Sequence, residues 1–196
     1  MLSNLWEIKE REKICVIDID GVLLSSYPQC WCDFVNQKIN SNFDDLNVMK
    51  NTLSYEKYRR LKEEYRLCGI KEKLPSDKHA SEITHYLSSL GYTIVIITAR
   101  PANKYLTLYN QTLNWLKNNK IRYDYIFFGT KDKHAKILSE IPHIKFVVED
   151  NSYVANSISK WGYKVYLLSN KYNNKVKLEK NVIRIHKLKD IEIYEK

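Results

Sequence analysis

The sequence lacks any apolar run long enough to cross a bilayer. Of its 196 residues, 44% are hydrophobic and 28% are charged, as is typical of soluble globular proteins. No stretch approaches the roughly 18 to 20 consecutive apolar residues that a membrane helix needs. The first residues also lack the apolar core and small-residue cleavage site of a secretory signal. These absences argue against a membrane protein and predict a cytoplasmic location.

The sequence also lacks the cysteine patterns that indicate disulfides or zinc sites. Its four cysteines stand at irregular positions, namely Cys15, Cys30, Cys32 and Cys68. This spacing fits neither a disulfide framework nor a paired CxxC zinc site. We therefore expect reduced thiols in a chain that is long enough to form its core without disulfide or metal crosslinks.

Positive charge is in excess but is not concentrated in one tract. Lys and Arg number 32 against 23 Asp and Glu, which gives a net charge of +9. This balance favours acidic partners such as phosphorylated metabolites, nucleic acid or an anionic surface. Because the basic residues are spread along the chain, a generally lysine-rich surface is the simpler explanation.

Short apolar runs alternate with helical patterns, which is the signature of βαβ units. Each run is almost continuously apolar, as expected for strands that are covered on both faces. The predicted fold is therefore α/β, a Rossmann-like doubly wound parallel sheet. The predicted strands are Ile14–Ile17, Thr93–Ile97, Tyr125–Phe128, Phe146–Val148 and Val165–Leu168, with Val182–Ile185 as a further strand at an edge.

Two apolar stripes predict helices that connect these strands. Both stripes follow helical spacing. One consists of Ala80, Ile83, Leu87 and Leu90, and the other of Leu106, Tyr109, Leu113 and Leu116.

The stretch from residue 25 to residue 74 interrupts this alternation. It separates the first predicted strand from the next helix by some fifty residues, where connections are normally short. Its second half is rich in strong helix formers, and aromatic residues recur at helical spacing in its first half. We predict a catalytic core of residues 1–24 and 75–196 with a small helical cap, residues 25–74, inserted after the first strand.

The clearest chemical signal follows the first predicted strand. Asp18 and Asp20 stand two residues apart directly after a buried apolar run, and Gly21 comes next. Two carboxylates at this point crowd negative charge at the carboxyl edge of the sheet, where open α/β folds bind ligands. A hard divalent cation such as Mg²⁺ offsets that crowding. An ordinary solvated turn is the alternative interpretation.

This DIDGV segment resembles the first signature of the haloacid dehalogenase-like phosphatases and phosphotransferases. The family's other signatures follow in order: Thr98 in TARP after the second strand, a lysine in GTKDKHAK, and Glu149-Asp150 after the fourth strand. The resemblance spans roughly residues 12–170. Each later motif is weak alone, and their order and strand context make the set specific.

The resemblance implies a two-step phosphoryl transfer. Asp18 is then the nucleophile that forms an aspartyl-phosphate, and Asp20 is the general acid and base. Mg²⁺ is held by the Asp18 carboxylate, the backbone carbonyl of Asp20 and Asp150. Thr98, the amide of Ala99 and a lysine bind the phosphate oxygens.

Two assignments stay open within the resemblance. The phosphate-binding lysine is Lys131, Lys133 or Lys136, with Lys133 favoured because it opens the helix. Many relatives carry Asp-Asp where this chain has Glu149-Asp150, so Glu149 is placed in the outer shell, while direct ligation is the alternative.

Within the family the chain is most similar to the 5'(3')-deoxyribonucleotidases and their bacterial and phage relatives. The helical insertion, the segment YRRLKEEYR and the TARP sequence carry this likeness. It implies a small phosphorylated substrate, with a nucleotide as the leading candidate. Candidate substrate contacts are Tyr27, Trp31 and Phe34 for base stacking and Arg59, Arg60 and Arg100 for phosphate or ribose, although packing or an exposed helix surface explains each of them more simply.

Three other functions stay open. A polynucleotide 3'-phosphatase would use the basic charge but calls for an open cleft. A sugar-phosphate phosphatase fits the same motifs, because they say nothing about the leaving group. A non-catalytic phosphate- or nucleic-acid-binding module is disfavoured, because such a module would be expected to lose Asp18 or Asp20.

Overall fold

The computed structural model describes residues 7–102, 104–129, 138 and 140–195. Its strands are β1 (Ile14–Ile17), β2 (Thr93–Thr98), β3 (Tyr125–Phe128), β4 (Ile144–Glu149), β5 (Val165–Leu168) and β6 (Val182–Ile185). Its helices are α1 (Tyr27–Ile39), α2 (Leu46–Thr52), α3 (Tyr55–Leu67), α4 (Ile70–Lys73), α5 (Ala80–Ser89), α6 (Leu106–Asn118), α7 (Ser152–Ser159) and α8 (Ile191–Tyr194), with a 3₁₀ turn at Leu188–Asp190.

The six strands form one parallel sheet in the order β3-β2-β1-β4-β5-β6. This is the doubly wound order of a Rossmann-like fold, so the predicted fold class is confirmed. The predicted edge strand is β6, and it pairs in parallel with β5. The order reverses beside β1, and the carboxyl ends of β1 and β4 therefore border the crevice in which such sheets bind ligands.

The sheet is covered on both faces because its strands are apolar on both sides. Cys15 and Ile17 of β1 belong to one buried cluster together with residues of α5 and α6. Ile14 and Val16 belong to a second cluster on the opposite face, together with residues of α7. The side chains of a strand alternate between faces, so one fully apolar strand serves both clusters.

The two predicted connecting helices are present, but only Leu116 of the second predicted stripe is buried. Ala80, Ile83 and Leu87 of α5 are buried as expected. In α6 the buried residues are Leu108, Thr112, Trp115 and Leu116, whereas Leu106 is 74% exposed. The indole of Trp115 and the neighbouring Leu116 pack into the sheet cluster, and they fix the rotation of this helix.

The inserted segment forms the helices α1 to α4 and has a cluster of its own. Its buried members are Trp31, Cys32, Phe34, Val35, Met49, Leu61 and Tyr65. Tyr27 packs against both this cluster and the main sheet cluster. The helical character of the insertion matches the sequence, while the division into core and cap at residues 25 and 74 stays a prediction.

Two expectations about composition can be compared with the structure. The four cysteines are all unpaired. Among the described residues, no helix combines the length and the apolar character needed to span a membrane.

Candidate active site

The predicted site residues meet at the carboxyl edge of the sheet. Asp18 directly follows β1, and its backbone N–H donates to the carbonyl of Val148 in β4 at 3.1 Å. Thr98 is the last residue of β2, on the other side of β1. Glu149 is the last residue of β4, and Asp150 follows it. Parallel pairing of β2, β1 and β4 thus brings Asp18, Thr98 and the Glu149-Asp150 pair to one edge although they are far apart in the sequence.

Three carboxylates form a compact group at this edge. One oxygen each from Asp18, Glu149 and Asp150 lies within 4.8 Å of the others, and all three residues are at least nine-tenths buried. Burial raises the pKa of Asp18 well above its usual range, and the nearby charges of Glu149 and Asp150 raise it further. Buried oxygen ligands that repel one another in this way fit a hard divalent cation, which neutralises them.

Gly21 is the residue that allows Asp150 to approach the strand end. Its φ is 105°, a left-handed conformation that favours glycine. A Cβ added there would lie 1.9 Å from Oδ2 of Asp150 and 2.2 Å from its Cγ. The glycine of the DIDG segment is therefore required both by the backbone conformation and by the space that the Asp150 carboxylate fills.

Glu149 lies inside this group of candidate ligands. Its Oε1 accepts hydrogen bonds from the backbone N–H groups of Asp150 at 3.2 Å and Asn151 at 3.0 Å. These bonds fold the longer glutamate side chain back over the turn. The sequence favoured an outer-shell position for Glu149. Its place beside Asp18 and Asp150 is equally compatible with the alternative, in which Glu149 binds the metal directly.

Asp20 makes ion pairs instead of joining the three carboxylates. Its Oδ1 accepts from Nη2 of Arg100 at 2.6 Å, and its Oδ2 accepts from Nζ of Lys71 at 2.6 Å. Burial alone would raise the pKa of Asp20, but the two cations outweigh burial and hold this pKa below its usual range. The second aspartate is thus kept ionised by two partners.

A curated sequence relative matches most of the chain. A curated nucleotidase of Clostridium acetobutylicum is 29% identical over 188 residues, which cover 90% of this chain and 90% of the relative. No protein-family model matches the chain.

Solved structures share the whole architecture. A HAD hydrolase of family IA, variant 3, from Entamoeba histolytica covers 93% of this chain and 96% of its own, with a TM-score of 0.60 and 17% identity. The chain has the haloacid dehalogenase-like fold. A D,D-heptose 1,7-bisphosphate phosphatase from B. bronchiseptica, complexed with magnesium and phosphate, has the same fold at a TM-score of 0.53 and 10% identity, covering 93% of this chain and 97% of its own.

The remaining phosphate-binding candidates differ in their exposure to the cavity. Thr98 is fully buried, and its Oγ1 accepts from the backbone N–H of Arg100 at 3.4 Å. Ala99 is exposed and lines a cavity above the strand ends. Lys131, Lys133 and Lys136 lie outside the described residues.

Arg100 supports Asp20 and is nearly inaccessible. Its side chain is 1% exposed. Besides its bonds to Asp20, Nη1 donates to Oγ1 of Thr112 at 3.1 Å, and the guanidinium lies 5.7 Å from the ring centre of Trp115. These contacts tie Arg100 to α6 and to Asp20, and Arg100 also lines the cavity, so its suggested contact with phosphate or ribose stays a prediction.

Lys71 is a site residue that the sequence did not reveal. It belongs to α4 of the insertion and is 3% exposed. Burial lowers the pKa of Lys71 to about 8, although the nearby charge of Asp20 opposes the shift. The surrounding sequence is rich in lysine, and nothing in its pattern distinguishes this lysine from its neighbours.

Asn173 is a second residue that the sequence did not reveal. It is fully buried, and its amide donates to the carbonyls of Asp150 at 2.7 Å and Leu168 at 2.8 Å. Its Oδ1 accepts from Nη1 of Arg184 at 3.0 Å. Asn173 therefore fixes the backbone of Asp150, but an asparagine in a polar loop gives no sequence signal for this role.

A cavity of about 440 Å³ lies between the acidic edge and the insertion. Its lining combines Asp18 and Asp150 from the sheet edge with Tyr27, Lys62 and Lys71 from the inserted helices. This volume lies within the range of about 300–1,000 Å³ that is usual for small-molecule pockets.

The insertion's predicted substrate contacts are only partly near this cavity. Tyr27 lines it. Trp31 and Phe34 are 0% and 7% exposed and pack within the insertion's own cluster, which favours the simpler packing interpretation. Arg59 and Arg60 are exposed on the surface of α3.

Proposed function

We propose that this protein is a Mg²⁺-dependent phosphomonoesterase that acts through an aspartyl-phosphate on Asp18. The observation that carries the proposal is the buried carboxylate group of Asp18, Glu149 and Asp150, with Asp20 two residues beyond Asp18. Carboxylates that converge at the carboxyl edge of a parallel sheet suit a divalent cation and a phosphate. The likeness to a nucleotidase and to a phosphatase complexed with magnesium and phosphate supports this interpretation.

The side chains of Asp18, Glu149 and Asp150 would hold Mg²⁺. When bound, this ion offsets the repulsion between an anionic nucleophile and an anionic phosphate. An Oδ of Asp18 attacks phosphorus, and the bond from phosphorus to the ester oxygen breaks. Asp20 gives a proton to the departing oxygen and later takes a proton from the water that attacks the phosphoaspartate, which releases phosphate and restores Asp18.

The ion pairs of Asp20 set a condition on this cycle. Arg100 and Lys71 stabilise the carboxylate form, whereas protonation of the leaving group needs the acid form. Phosphate oxygens compete for the same N–H donors, since a phosphate is also a strong acceptor. Substrate binding therefore weakens at least one pair and allows Asp20 to take up the proton that it transfers.

Among esters that carry one phosphate, a nucleoside monophosphate is the leading substrate. The sequence relative is a nucleotidase, and residues of the inserted helices supply part of the cavity lining. Inserted helices beside the strand ends favour a small ester over a polynucleotide end, which needs an open cleft. A small sugar phosphate fits the same cavity and is the second candidate.

Phosphate release from a substrate panel tests this proposal. The panel comprises nucleoside 5'- and 3'-monophosphates, sugar phosphates and a 3'-phosphorylated oligonucleotide, each with Mg²⁺ and with EDTA. We expect Mg²⁺-dependent release that is fastest with mononucleotides. Preference for the oligonucleotide would instead favour end processing, and release that is unaffected by EDTA would contradict the metal-dependent mechanism. Absence of release by folded protein would favour a non-catalytic binding module.

A further inference from the structure

Two basic residues of the insertion that line the cavity, Lys62 and Arg66 of α3, form a group that we call the roof. In α3 the cavity-lining residues are Tyr58, Lys62 and Arg66, spaced four residues apart. Lys50 of α2 also lines the cavity. Helical spacing of four residues aligns side chains on one face, so the sequence directs these basic groups towards the same space.

The two cations beside the catalytic edge share one carboxylate, whereas Lys62 and Arg66 of α3 have none among the residues that the structure describes. Lys71 and Arg100 both pair with Asp20. Within the described part of the chain, no carboxylate lies within ion-pair distance of Lys62 or Arg66. Lys62 and Arg66 therefore add positive charge to the cavity beyond the cations that pair with Asp20.

Lys62 is partly withdrawn from water among aromatic side chains. It is half-buried, its Nζ donates to the hydroxyl of Tyr27, and it lies 4.4 Å from the ring centre of Trp31. Burial lowers the pKa of Lys62 well below its usual range, and the charge of Lys71 lowers it further. An ammonium among aromatic rings without a carboxylate is a group that an anionic ligand would stabilise.

We propose that the roof binds a second phosphate on the substrate, so that the preferred substrates are phosphomonoesters carrying two phosphate groups. The proposal rests on the function proposed above, in which the first phosphate is cleaved at Asp18. A neutral base or sugar against the roof would leave Lys62 and Arg66 without an anionic acceptor. A second phosphate would accept charge-assisted hydrogen bonds from both residues.

Matched substrate pairs test this assignment. We would compare kcat/KM for adenosine 3',5'-bisphosphate with that for adenosine 5'-monophosphate, and for fructose 1,6-bisphosphate with that for fructose 6-phosphate. The bisphosphate of at least one pair is expected to be preferred by about tenfold or more, as for one added hydrogen bond between charged groups. The two pairs distinguish a nucleoside scaffold from a sugar scaffold.

Arg66→Gln and Arg60→Gln provide the matched variants. Both remove one guanidinium from α3, but Arg60 is exposed and is not among the residues that line the cavity. Arg66→Gln is expected to lower the preference for the bisphosphate towards one, and Arg60→Gln to keep the wild-type preference. Equal losses in the two variants would assign the effect to overall charge and overturn the proposal.

The outcomes separate this proposal from the proposed function. Hydrolysis that requires Asp18 but shows no preference in either pair overturns the second phosphate site alone. Hydrolysis that does not require Asp18 overturns the proposed function. Titration calorimetry of the two adenosine nucleotides with Asp18→Asn protein examines the roof without turnover, and equal affinities would overturn the second phosphate site.

Discussion

At Gly21 the need for glycine comes from two separate features that can be tested apart. The left-handed backbone penalises any side chain, and the Asp150 carboxylate occupies the place of the missing Cβ. Gly91 has a similar φ of 80° but no atom within 4 Å of its added Cβ. The two glycines therefore distinguish backbone strain from displacement of a candidate metal ligand.

We predict that Gly21→Ala abolishes stabilisation by Mg²⁺, while Gly91→Ala keeps it. Both variants should lose about 1–2 kcal/mol of unfolding free energy from backbone strain. Only Gly21→Ala displaces Asp150. The measurement is the rise in Tm on adding Mg²⁺, and an equal rise in the two variants would show that Asp150 is not held as a ligand beside Gly21.

At the level of single residues, the sequence identified the site residues that directly follow strands. It missed those that contact the site from other parts of the fold. Asp18 and Asp20 were predicted because they follow an apolar run at the carboxyl edge of a parallel sheet, and Asp150 was predicted from the family resemblance. Lys71 and Asn173 reach the site from the insertion and from the loop after β5. Their contacts depend on tertiary packing, which no local spacing encodes.

The C-terminal segment is attached to the sheet through a buried carboxylate. Glu195 accepts hydrogen bonds from the hydroxyls of Tyr92 and Tyr166 and pairs with Lys164. Burial alone would raise the pKa of Glu195, but the bonds from Lys164 and the two tyrosines outweigh it. The net result is a pKa below the ordinary value of 4.5.

This depressed pKa predicts an acid-dependent loss of stability. The unfolded chain takes up a proton near pH 4.5, where folded Glu195 is still ionised, so the unfolded state binds more protons there. The stabilisation is complete above pH 4.5 and is lost as the pH falls through the lower folded value. Glu195→Gln should lower stability at pH 7 by about 2 kcal/mol.

Urea unfolding of wild-type and Glu195→Gln protein from pH 7 down to pH 3 checks this prediction. The difference in unfolding free energy between the two proteins should shrink as the solution becomes more acidic. A difference that stays constant over this range would mean that the Glu195 carboxylate does not supply the stabilisation.

The inserted helices form a cluster of their own around Trp31. This side chain is fully buried, with the rings of Tyr65 and Phe34 at 5.0 and 5.9 Å. Trp115 is equally buried but belongs to the sheet cluster. Truncating either tryptophan should remove about 3–5 kcal/mol of packing energy, though from different parts of the molecule.

We predict that Trp31→Ala accelerates amide hydrogen exchange in α1 to α3 and leaves β1 and β2 protected. Trp115→Ala should instead accelerate exchange in the sheet. Hydrogen exchange followed by mass spectrometry measures both effects. Equal acceleration throughout the chain in Trp31→Ala would contradict the predicted division into a core and a cap at residues 25 and 74.

At the scale of the whole molecule, the alternation of strands and helices was enough to predict the fold. Five apolar runs and an edge strand became one parallel sheet, in which β4 is longer than predicted at both ends and β2 is one residue longer at its carboxyl end. The rotation of α6 was predicted only in part: Leu116 of the predicted stripe is buried, but Leu108, Thr112 and Trp115, which lie outside that stripe, form the rest of the buried face. The roof was not predicted from the sequence either, because its basic residues have the pattern of an ordinary exposed helix and only the fold brings them to the cavity.

Phosphate release by Asp18→Asn protein, measured beside wild-type and Asp44→Asn protein, tests most directly whether Asp18 is the nucleophile. Asp44 is exposed, so its variant repeats the change of charge on the surface. Asp18→Asn removes one of three mutually repelling carboxylates, and the variant should stay folded in EDTA. We predict that it releases phosphate at least about 1,000-fold more slowly than wild type, while Asp44→Asn matches wild type. Undiminished Mg²⁺-dependent release by folded Asp18→Asn protein would contradict the proposed mechanism.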